Sequence, residues 1–160
     1  MVQAYISVGS NIEPKKHIRA SLIDMQQHYG QLVISSVYES EAVGFVGDNF
    51  YNLVVGFETE QPPLTINQTL RQIEQNHGRL RGQNKFSPRT LDLDLILYGD
   101  AILQEDSLNL PRDEILNYAF VLQPLAEILP NTKHPVTQQT YYDLWQHFDK
   151  NKQILWKVVL

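Results

Sequence analysis

The sequence predicts an α+β fold in which helices pack on an antiparallel sheet. Short apolar segments of strand-like composition alternate with two stretches whose apolar residues recur at helical spacing. Glycine or proline stands at most segment boundaries, where a turn or a helix end is needed. The chain has 160 residues, of which 42% are hydrophobic. This length and apolar fraction suit one hydrophobic core, so we expect residues 1–160 to form a single domain.

The first half of the predicted core contains three strands and one helix. Residues 3–8 (QAYISV) form an apolar run that ends at the turn signal GSN. Pro14 suits the first turn of a helix, and Gly30 ends that helix. Its apolar stripe recurs at i, i+4, i+7 and i+11, as Ile18, Leu22, Met25 and Tyr29. Residues 32–38 and 50–59 then read as the second and third strands.

The second half of the core adds one helix and one strand. A proline pair at 62–63 suits a helix start, and Gly78 follows the apolar stripe of that helix. Residues 90–98 predict the fourth strand. The order β-α-β-β-α-β is that of a ferredoxin-like core.

A C-terminal extension follows this core. Residues 99–113 carry no clear periodicity, whereas residues 115–128 predict a helix. Residues 140–148 (TYYDLWQHF) suggest another helix, and residues 154–160 (ILWKVVL) suggest a last strand.

Charge and composition exclude several functional classes. The formal net charge is −5, which argues against general affinity for nucleic acid or for an anionic membrane surface. The chain has no cysteine, so disulfides, thiolate metal sites and a cysteine nucleophile are excluded. The N-terminus lacks the pattern of a secretory signal, and no segment approaches the roughly 20 apolar residues of a membrane span. We therefore expect a soluble cytoplasmic protein.

Familiar catalytic signatures are also missing from the sequence. There is no Walker A loop, no G-x-G-x-x-G and no G-x-S-x-G motif. P-loop ATPases, typical protein kinases and α/β-hydrolases are therefore excluded.

Two acidic residues alternate with leucines in the predicted fourth strand. Because successive side chains point to opposite faces, Leu91, Leu93, Leu95 and Leu97 should share the core face. Asp92 and Asp94 should share the other face, with Cα atoms roughly 6.6 Å apart. Two carboxylates at this spacing can hold two Mg²⁺ ions bridged by substrate oxygens. The alternative is a half-exposed strand whose aspartates are merely solvated.

A basic segment directly precedes these aspartates. No acidic residue lies between Glu74 and Asp92. The same stretch contains four of the 13 Lys and Arg residues: Arg79, Arg81, Lys85 and Arg89. Guanidinium groups bind phosphate oxygens through paired hydrogen bonds, and lysine adds a point charge. Carboxylates for metal beside cations for polyphosphate indicate a site for a magnesium-bound nucleotide. The alternative is a solvated basic loop that balances nearby acids.

The string SPRTLDLDLILYG at 87–99 closely resembles a signature of the 6-hydroxymethyl-7,8-dihydropterin pyrophosphokinase family. Further segments resemble the same family, namely AYISVGSN, SSVYESEAVGF followed by FYNLVV, and LPRDEILNYAFVLQPLAEILP. The resemblance implies transfer of pyrophosphate from ATP to a pterin alcohol in folate biosynthesis, with release of AMP. It also implies two Mg²⁺ ions, and it suggests a monomer.

The resemblance assigns roles residue by residue. It makes Asp92 and Asp94 the metal ligands, and Arg79 and Arg89 the groups that neutralise the polyphosphate and its developing charge. The nucleotide site would comprise Glu74, Arg79, Arg81, Lys85, Arg89, Leu95 and Arg112. The pterin pocket would comprise Ser40, Val43, Gly44, Phe50, Asn52, Phe86 and Phe120. Phe50 and Phe120 would sandwich the flat ring, and Asn52 would supply the donor and acceptor that its edge requires.

The sequence departs from the family pattern at three positions. Phe86, Arg112 and Tyr118 stand where the family often has tryptophan, histidine and arginine. An inactive or weakly active paralogue that binds ATP or pterin is therefore one alternative. An RNA-binding ferredoxin-like module is another, although the net charge and the lack of an aromatic RNP1 pattern argue against it. A nucleotidyltransferase would also use paired aspartates, but it would release pyrophosphate.

Overall fold

The computed structural model describes residues 1–42, 47–78, 90–105 and 107–160. The strands in this part of the chain are β1 (Val2–Ser10), β2 (Val33–Ile34), β3 (Val37–Ser40), β4 (Phe50–Thr59), β5 (Asp92–Tyr98), β6 (Leu103–Glu105), β7 (Leu108–Leu110) and β8 (Trp156–Val158). The helices are α1 (Pro14–Tyr29), α2 (Pro63–Asn76), α3 (Glu114–Asn117), α4 (Ala119–Ile128) and α5 (Tyr141–Gln146).

The main sheet is antiparallel and has the strand order β5-β1-β4-β3-β8, with β2 also pairing with β4. The first four strands of this order, β5-β1-β4-β3, are arranged as in a ferredoxin-like core, so the α+β prediction is confirmed. β6 and β7 form a separate hairpin within the stretch at 99–113, where the sequence predicted no regular structure. No helix in the described segments has both the length and the apolarity that a bilayer crossing needs.

Both faces of the sheet are covered. The first face packs against α1 and α2, through a buried cluster that includes Val8, Leu53, Ile18 and Leu70. The second face packs against the helices of the C-terminal extension, through a cluster that includes Val54 and Leu125. The C-terminal extension is therefore part of the structural core, and β8 also closes the sheet by pairing with β3.

One leucine of β5 faces the side of the sheet opposite to the side that the sequence predicted. Leu91, Leu93 and Leu95 lie in the first-face cluster, as predicted. Leu97 instead lies with Ile96 in the second-face cluster. The register shifts between Tyr5 and Ile6 of β1, so β5 holds one extra residue there and its alternation is interrupted.

Two predicted elements are divided in the structure. The strand predicted at 32–38 separates into β2 and β3 because Ser35 bonds the Val54 backbone with both its N–H and its hydroxyl. The helix predicted at 115–128 separates into α3 and α4 at Tyr118, whose backbone is extended (φ −127°, ψ 124°). The helix at 14–29 and the strand at 50–59 have the predicted bounds.

Gly56 allows a close approach between β4 and β1. A Cβ atom built on Gly56 would lie 2.6 Å from Cε1 and 2.9 Å from Cδ1 of Tyr5, the residue directly opposite on β1. We expect Gly56→Ala to lower the free energy of unfolding by about 1–3 kcal/mol, because the aromatic ring must shift within a packed cluster. Urea denaturation measures this change. The same substitution should cost much less in a Tyr5→Ala background, and an equal cost in both backgrounds would refute the steric cause.

Glu127 of α4 ties that helix to β3. Its carboxylate accepts bonds from the Tyr38 hydroxyl (2.6 Å) and from the Ser36 N–H and hydroxyl (2.9 and 3.0 Å). Burial alone would raise the pKa of Glu127, but these bonds and the charge of Lys157 outweigh it, so the pKa lies below its ordinary value. The ionised form is therefore favoured by folding, and this stability is present at neutral pH and is lost as the pH falls through the lowered pKa.

We expect Glu127→Gln to lower the free energy of unfolding at pH 7 by about 1 kcal/mol, a small value because the side chain is solvent-screened. The variant should also show a shallower loss of stability below about pH 4.3, the ordinary pKa of a glutamate. Denaturation curves between pH 7 and pH 3 measure both effects. Glu60→Gln, at an exposed position, is the matched control. Equal pH dependence in wild type and Glu127→Gln would contradict the assignment.

Candidate functional site

A row of side chains crosses three strands on the second face of the sheet. On β1, Gly9 pairs with Asn52 of β4 on one side and with Asp92 of β5 on the other. Ser7 pairs in the same way with Val54 and Asp94. Directly opposed residues of antiparallel strands share a face, so both aspartates and Asn52 point to the same side of the sheet. Strand spacing places Asn52 and Asp92 about 10 Å apart at Cα.

The small residues of β1 leave room above the sheet at this point. A Cβ atom built on Gly9 would lie only 2.7 Å from the Asn52 side-chain oxygen. The amide of Asn52 therefore lies over β1, where only glycine permits it. The Asn52 side chain is almost fully buried, at 5% exposure.

The aromatic residues expected at the pterin pocket lie on the same face. Phe50 is two residues before Asn52 on β4 and pairs with Ser40 of β3, which is buried. Phe120 of α4 packs against the second-face cluster and stacks on Tyr118, with ring centroids 5.0 Å apart. The structure thus brings Ser40, Phe50, Asn52 and Phe120 to the side of the sheet that bears the aspartates.

The outer edge of β5 is held by helix α2. The backbone N–H of Leu93 donates to Oε2 of Glu74 at 2.7 Å, and the Leu93 carbonyl accepts a bond from the Arg71 guanidinium. The same guanidinium pairs with Oε1 of Glu74 at 3.3 Å. Glu74 is only 1% exposed, so its charge is compensated inside the protein. These bonds position Leu93, the residue between the two aspartates.

Arg71 also connects this edge to the acidic pair. Its Nη2 atom lies 3.7 Å from Oδ1 of Asp94, whose side chain is 23% exposed. Both residues line a cavity beside β5, together with Asn67, Leu95, Ser107, Leu108, Asn109 and Arg112. Of the residues expected from the sequence, this cavity contains Asp94, Leu95 and Arg112.

Arg112 is held at the cavity wall by its neighbours. Its guanidinium bonds Oε2 of Glu114, with Nε at 3.2 Å and Nη2 at 2.6 Å. Its backbone N–H donates to the carbonyl of Ile96 at 3.1 Å, which joins the segment after β7 to the edge of β5. The guanidinium therefore faces the cavity from a fixed backbone.

The carboxylate pair suits a hard divalent cation. In the described residues no group of three or more His, Cys, Asp or Glu side chains could hold a metal ion. Two aspartates alone fit Mg²⁺, because this ion commonly takes one or two carboxylates and completes its coordination with phosphate oxygens and water. The partial exposure of Asp94 at the cavity leaves room for such ligands.

Arg71 was not among the site residues predicted from the sequence. The spacing of Arg71 and Glu74, one helical turn apart, was the available signal, since such residues lie on one helix face. Seven expected residues lie outside the described part of the chain: Val43, Gly44, Arg79, Arg81, Lys85, Phe86 and Arg89.

Comparison with known proteins agrees with the resemblance. The family model of 7,8-dihydro-6-hydroxymethylpterin-pyrophosphokinase (HPPK) matches residues 5–130. The 2-amino-4-hydroxy-6-hydroxymethyldihydropteridine pyrophosphokinase of Haemophilus influenzae is 35% identical over 158 residues, covering 96% of this chain and 98% of that protein. The enzyme of the same name from Bacillus subtilis is 33% identical over 138 residues, covering 84% of this chain and 82% of the relative.

Solved structures share the fold. The HPPK-DHPS S436F/A437G/A613T triple mutant of Plasmodium falciparum, solved with pteroate, superposes with a TM-score of 0.71 at 14% identity. The superposition covers 91% of this chain, which spans 43% of the length of that larger one. Because the family model matches residues 5–130 and the Haemophilus influenzae relative matches nearly end to end, the protein belongs to the 7,8-dihydro-6-hydroxymethylpterin-pyrophosphokinase family.

Proposed function

We propose that this pyrophosphokinase transfers pyrophosphate from ATP to 6-hydroxymethyl-7,8-dihydropterin in folate biosynthesis, with two Mg²⁺ ions and release of AMP. One observation supports the proposal beyond family membership. Asp92 and Asp94 share a sheet face with Asn52 and Phe50, and Gly9 of β1, which has no side chain, lies between Asn52 and Asp92 in the paired strands. A pterin held at one end of this row would direct its substituent toward the acids at the other end.

The pterin half of the proposed site uses stacking and one amide. Phe50 and Phe120 provide flat apolar surfaces for the ring. Asn52 offers both a donor and an acceptor to the ring edge, and its burial excludes water that would compete for those bonds. Ser40, which faces Phe50 across β3 and β4, would complete this end, with Val43, Gly44 and Phe86 as further proposed contacts.

The nucleotide half of the proposed site uses charge. Asp92 and Asp94 would hold Mg²⁺, which offsets the charge of the triphosphate and polarises its phosphoryl oxygens. Arg79 and Arg89 are the proposed partners of the polyphosphate. Arg81, Lys85, Leu95 and Arg112 are proposed for the rest of the nucleotide site; among them, Leu95 and Arg112 line the cavity beside Asp94. Glu74 is proposed to support this site from within the protein, through its bond to the Leu93 N–H.

The proposed chemistry is an in-line displacement at phosphorus. The hydroxymethyl oxygen of the pterin forms a bond to the β-phosphorus of ATP, and the bond from that phosphorus to the oxygen bridging it to the α-phosphorus breaks. AMP leaves with that oxygen, and the hydroxyl proton passes to solvent. The protein acts by positioning both substrates and by stabilising charge, and no side chain is assigned as a general base.

We also propose that the chain acts as one domain and as a monomer in the cytoplasm. The two core clusters on opposite faces of one sheet support a single domain. The absence of cysteine suits a reducing compartment.

Loss of one proposed metal ligand should abolish turnover. We expect Asp94→Ala to reduce AMP formation by more than about 100-fold, beyond the usual effect of disturbing only the outer shell of a metal site. The assay follows AMP from ATP, Mg²⁺ and the pterin alcohol, which also separates this reaction from a nucleotidyltransferase that releases pyrophosphate. Asp100→Ala, in the exposed turn after β5, is the matched control. If purified Asp94→Ala retained most activity at saturating Mg²⁺, the proposed site would be wrong.

A second substitution tests the pterin end of the row. We expect Gly9→Ala to displace the Asn52 amide and to raise KM for the pterin about 10-fold or more, the effect of one or two lost hydrogen bonds. KM for ATP should change much less. In an Asn52→Ala background, Gly9→Ala should add little, because the displaced group is already gone. Full additivity of the two substitutions would show that Gly9 does not act through Asn52.

A further inference from the structure

The positively charged side chain of Arg71 lies beside Asp94, and several contacts fix its position. Its guanidinium contacts the Leu93 carbonyl, Oε1 of Glu74 at 3.3 Å and Oδ1 of Asp94 at 3.7 Å. Glu74 is itself held by the Leu93 N–H. A planar guanidinium with acceptors on three sides loses most of its rotational freedom. Arg71 is therefore a positioned charge, and its side chain is only 29% exposed.

This position brings Arg71 into competition with a divalent cation. A magnesium ion on Asp94 lies about 2.0–2.1 Å from the carboxylate oxygen, and so within about 6 Å of the Arg71 Nη2 atom. The two cations repel each other, and screening is weak because Asp94 is only 23% exposed. Metal binding without a nucleotide must therefore overcome the charge of Arg71.

A bound polyphosphate reverses the effect of this charge. Arg71 and Arg112 both line the cavity beside Asp94. An anionic triphosphate in this cavity attracts the Arg71 guanidinium, so the same charge that opposes free metal favours the metal-nucleotide complex. Such an arrangement couples the two ligands, since each raises the affinity for the other by the same factor.

We propose that Arg71 is a positioning residue that suppresses metal binding at Asp94 until a nucleotide is present. The inference rests on the proposed function, because it takes Asp94 as a metal ligand and the cavity as the nucleotide site. The inference gives Arg71 of α2 a role of its own: it makes the metal ion bind together with the nucleotide and not before it.

Binding of Mn²⁺, a paramagnetic substitute for Mg²⁺, tests the proposal without measuring turnover. Free Mn²⁺ is measured by electron paramagnetic resonance, with and without α,β-methylene ATP, whose α–β linkage is not cleaved. We expect Arg71→Gln to bind Mn²⁺ alone about 10-fold more tightly than wild type. The gain in Mn²⁺ affinity on adding the analogue should be correspondingly smaller in Arg71→Gln. Arg71→Lys, which keeps the charge, should behave like wild type.

Two controls separate the charge at this position from other effects. Arg19→Gln makes the same substitution at an exposed site on α1, and it should leave Mn²⁺ binding unchanged. Because Arg71→Gln removes a partner of the buried Glu74, circular dichroism must show that the variant is folded. If it is not, Arg71→Gln/Glu74→Gln removes the buried charge as well and is used in its place.

The outcomes distinguish this inference from the proposed function. If Arg71→Gln, or the double variant, binds Mn²⁺ alone within twofold of wild type or more weakly, the competition is refuted while the metal site stands. If, with the analogue present, wild type binds no Mn²⁺ beyond the amount that the analogue itself holds, the metal site fails and both proposals fall. The same conclusion follows if Asp94→Asn binds Mn²⁺ as wild type does. The proposal is supported if Arg71→Gln binds Mn²⁺ alone more tightly than wild type does while Arg71→Lys binds it as wild type does.

Discussion

The proposed site depends on how the edge strand β5 satisfies its outward backbone groups. An edge strand presents N–H and C=O groups that no neighbouring strand bonds. Here α2 supplies the partners: Glu74 accepts a bond from the Leu93 N–H, and Arg71 donates a bond to the Leu93 carbonyl. This solution buries a carboxylate and requires a nearby cation to compensate it. The structural requirement of the strand edge thus places a charged pair directly behind Asp92 and Asp94.

The two faces of the sheet differ in what they carry: the first is a packing surface, and the second carries both packing residues and the proposed site. The first face is apolar along β1, β4 and β5 and packs against α1 and α2. The second face is shared, since Val54 and Ile96 pack under the C-terminal helices while Asn52, Asp92 and Asp94 lie farther along the same strands. The bulge in β5 helps this division, because it turns Leu97 to the second face and ends the alternation that carries the aspartates.

The C-terminal extension holds one wall of the proposed site in place. Phe120 stands near the start of α4, and Glu127 near its end bonds Tyr38 and Ser36 beside the sheet. β8 pairs with β3 and completes the sheet on that side. A proposed stacking residue is therefore oriented by contacts made two helical turns away.

The sequence by itself determined the features that depend on local periodicity. The α+β class, the helix at 14–29, the strand at 50–59 and the shared face of Asp92 and Asp94 all follow from spacing along a few residues. The motif at 87–99 also indicated the family before any fold was known.

Tertiary structure decided the features that depend on partners distant in the chain. The Arg71–Asp94 pair, the place of Asn52 over Gly9, the face of Leu97 and the breaks at Ser35 and Tyr118 could not be predicted from spacing. Most of these features arise where segments distant in the chain meet in a register that local pattern does not encode: Ser35 meets Val54, Arg71 meets Asp94, Asn52 meets Gly9, and Leu97 pairs with Tyr5. Side-chain periodicity tells which face a residue takes, whereas pairing and packing decide which group stands opposite it.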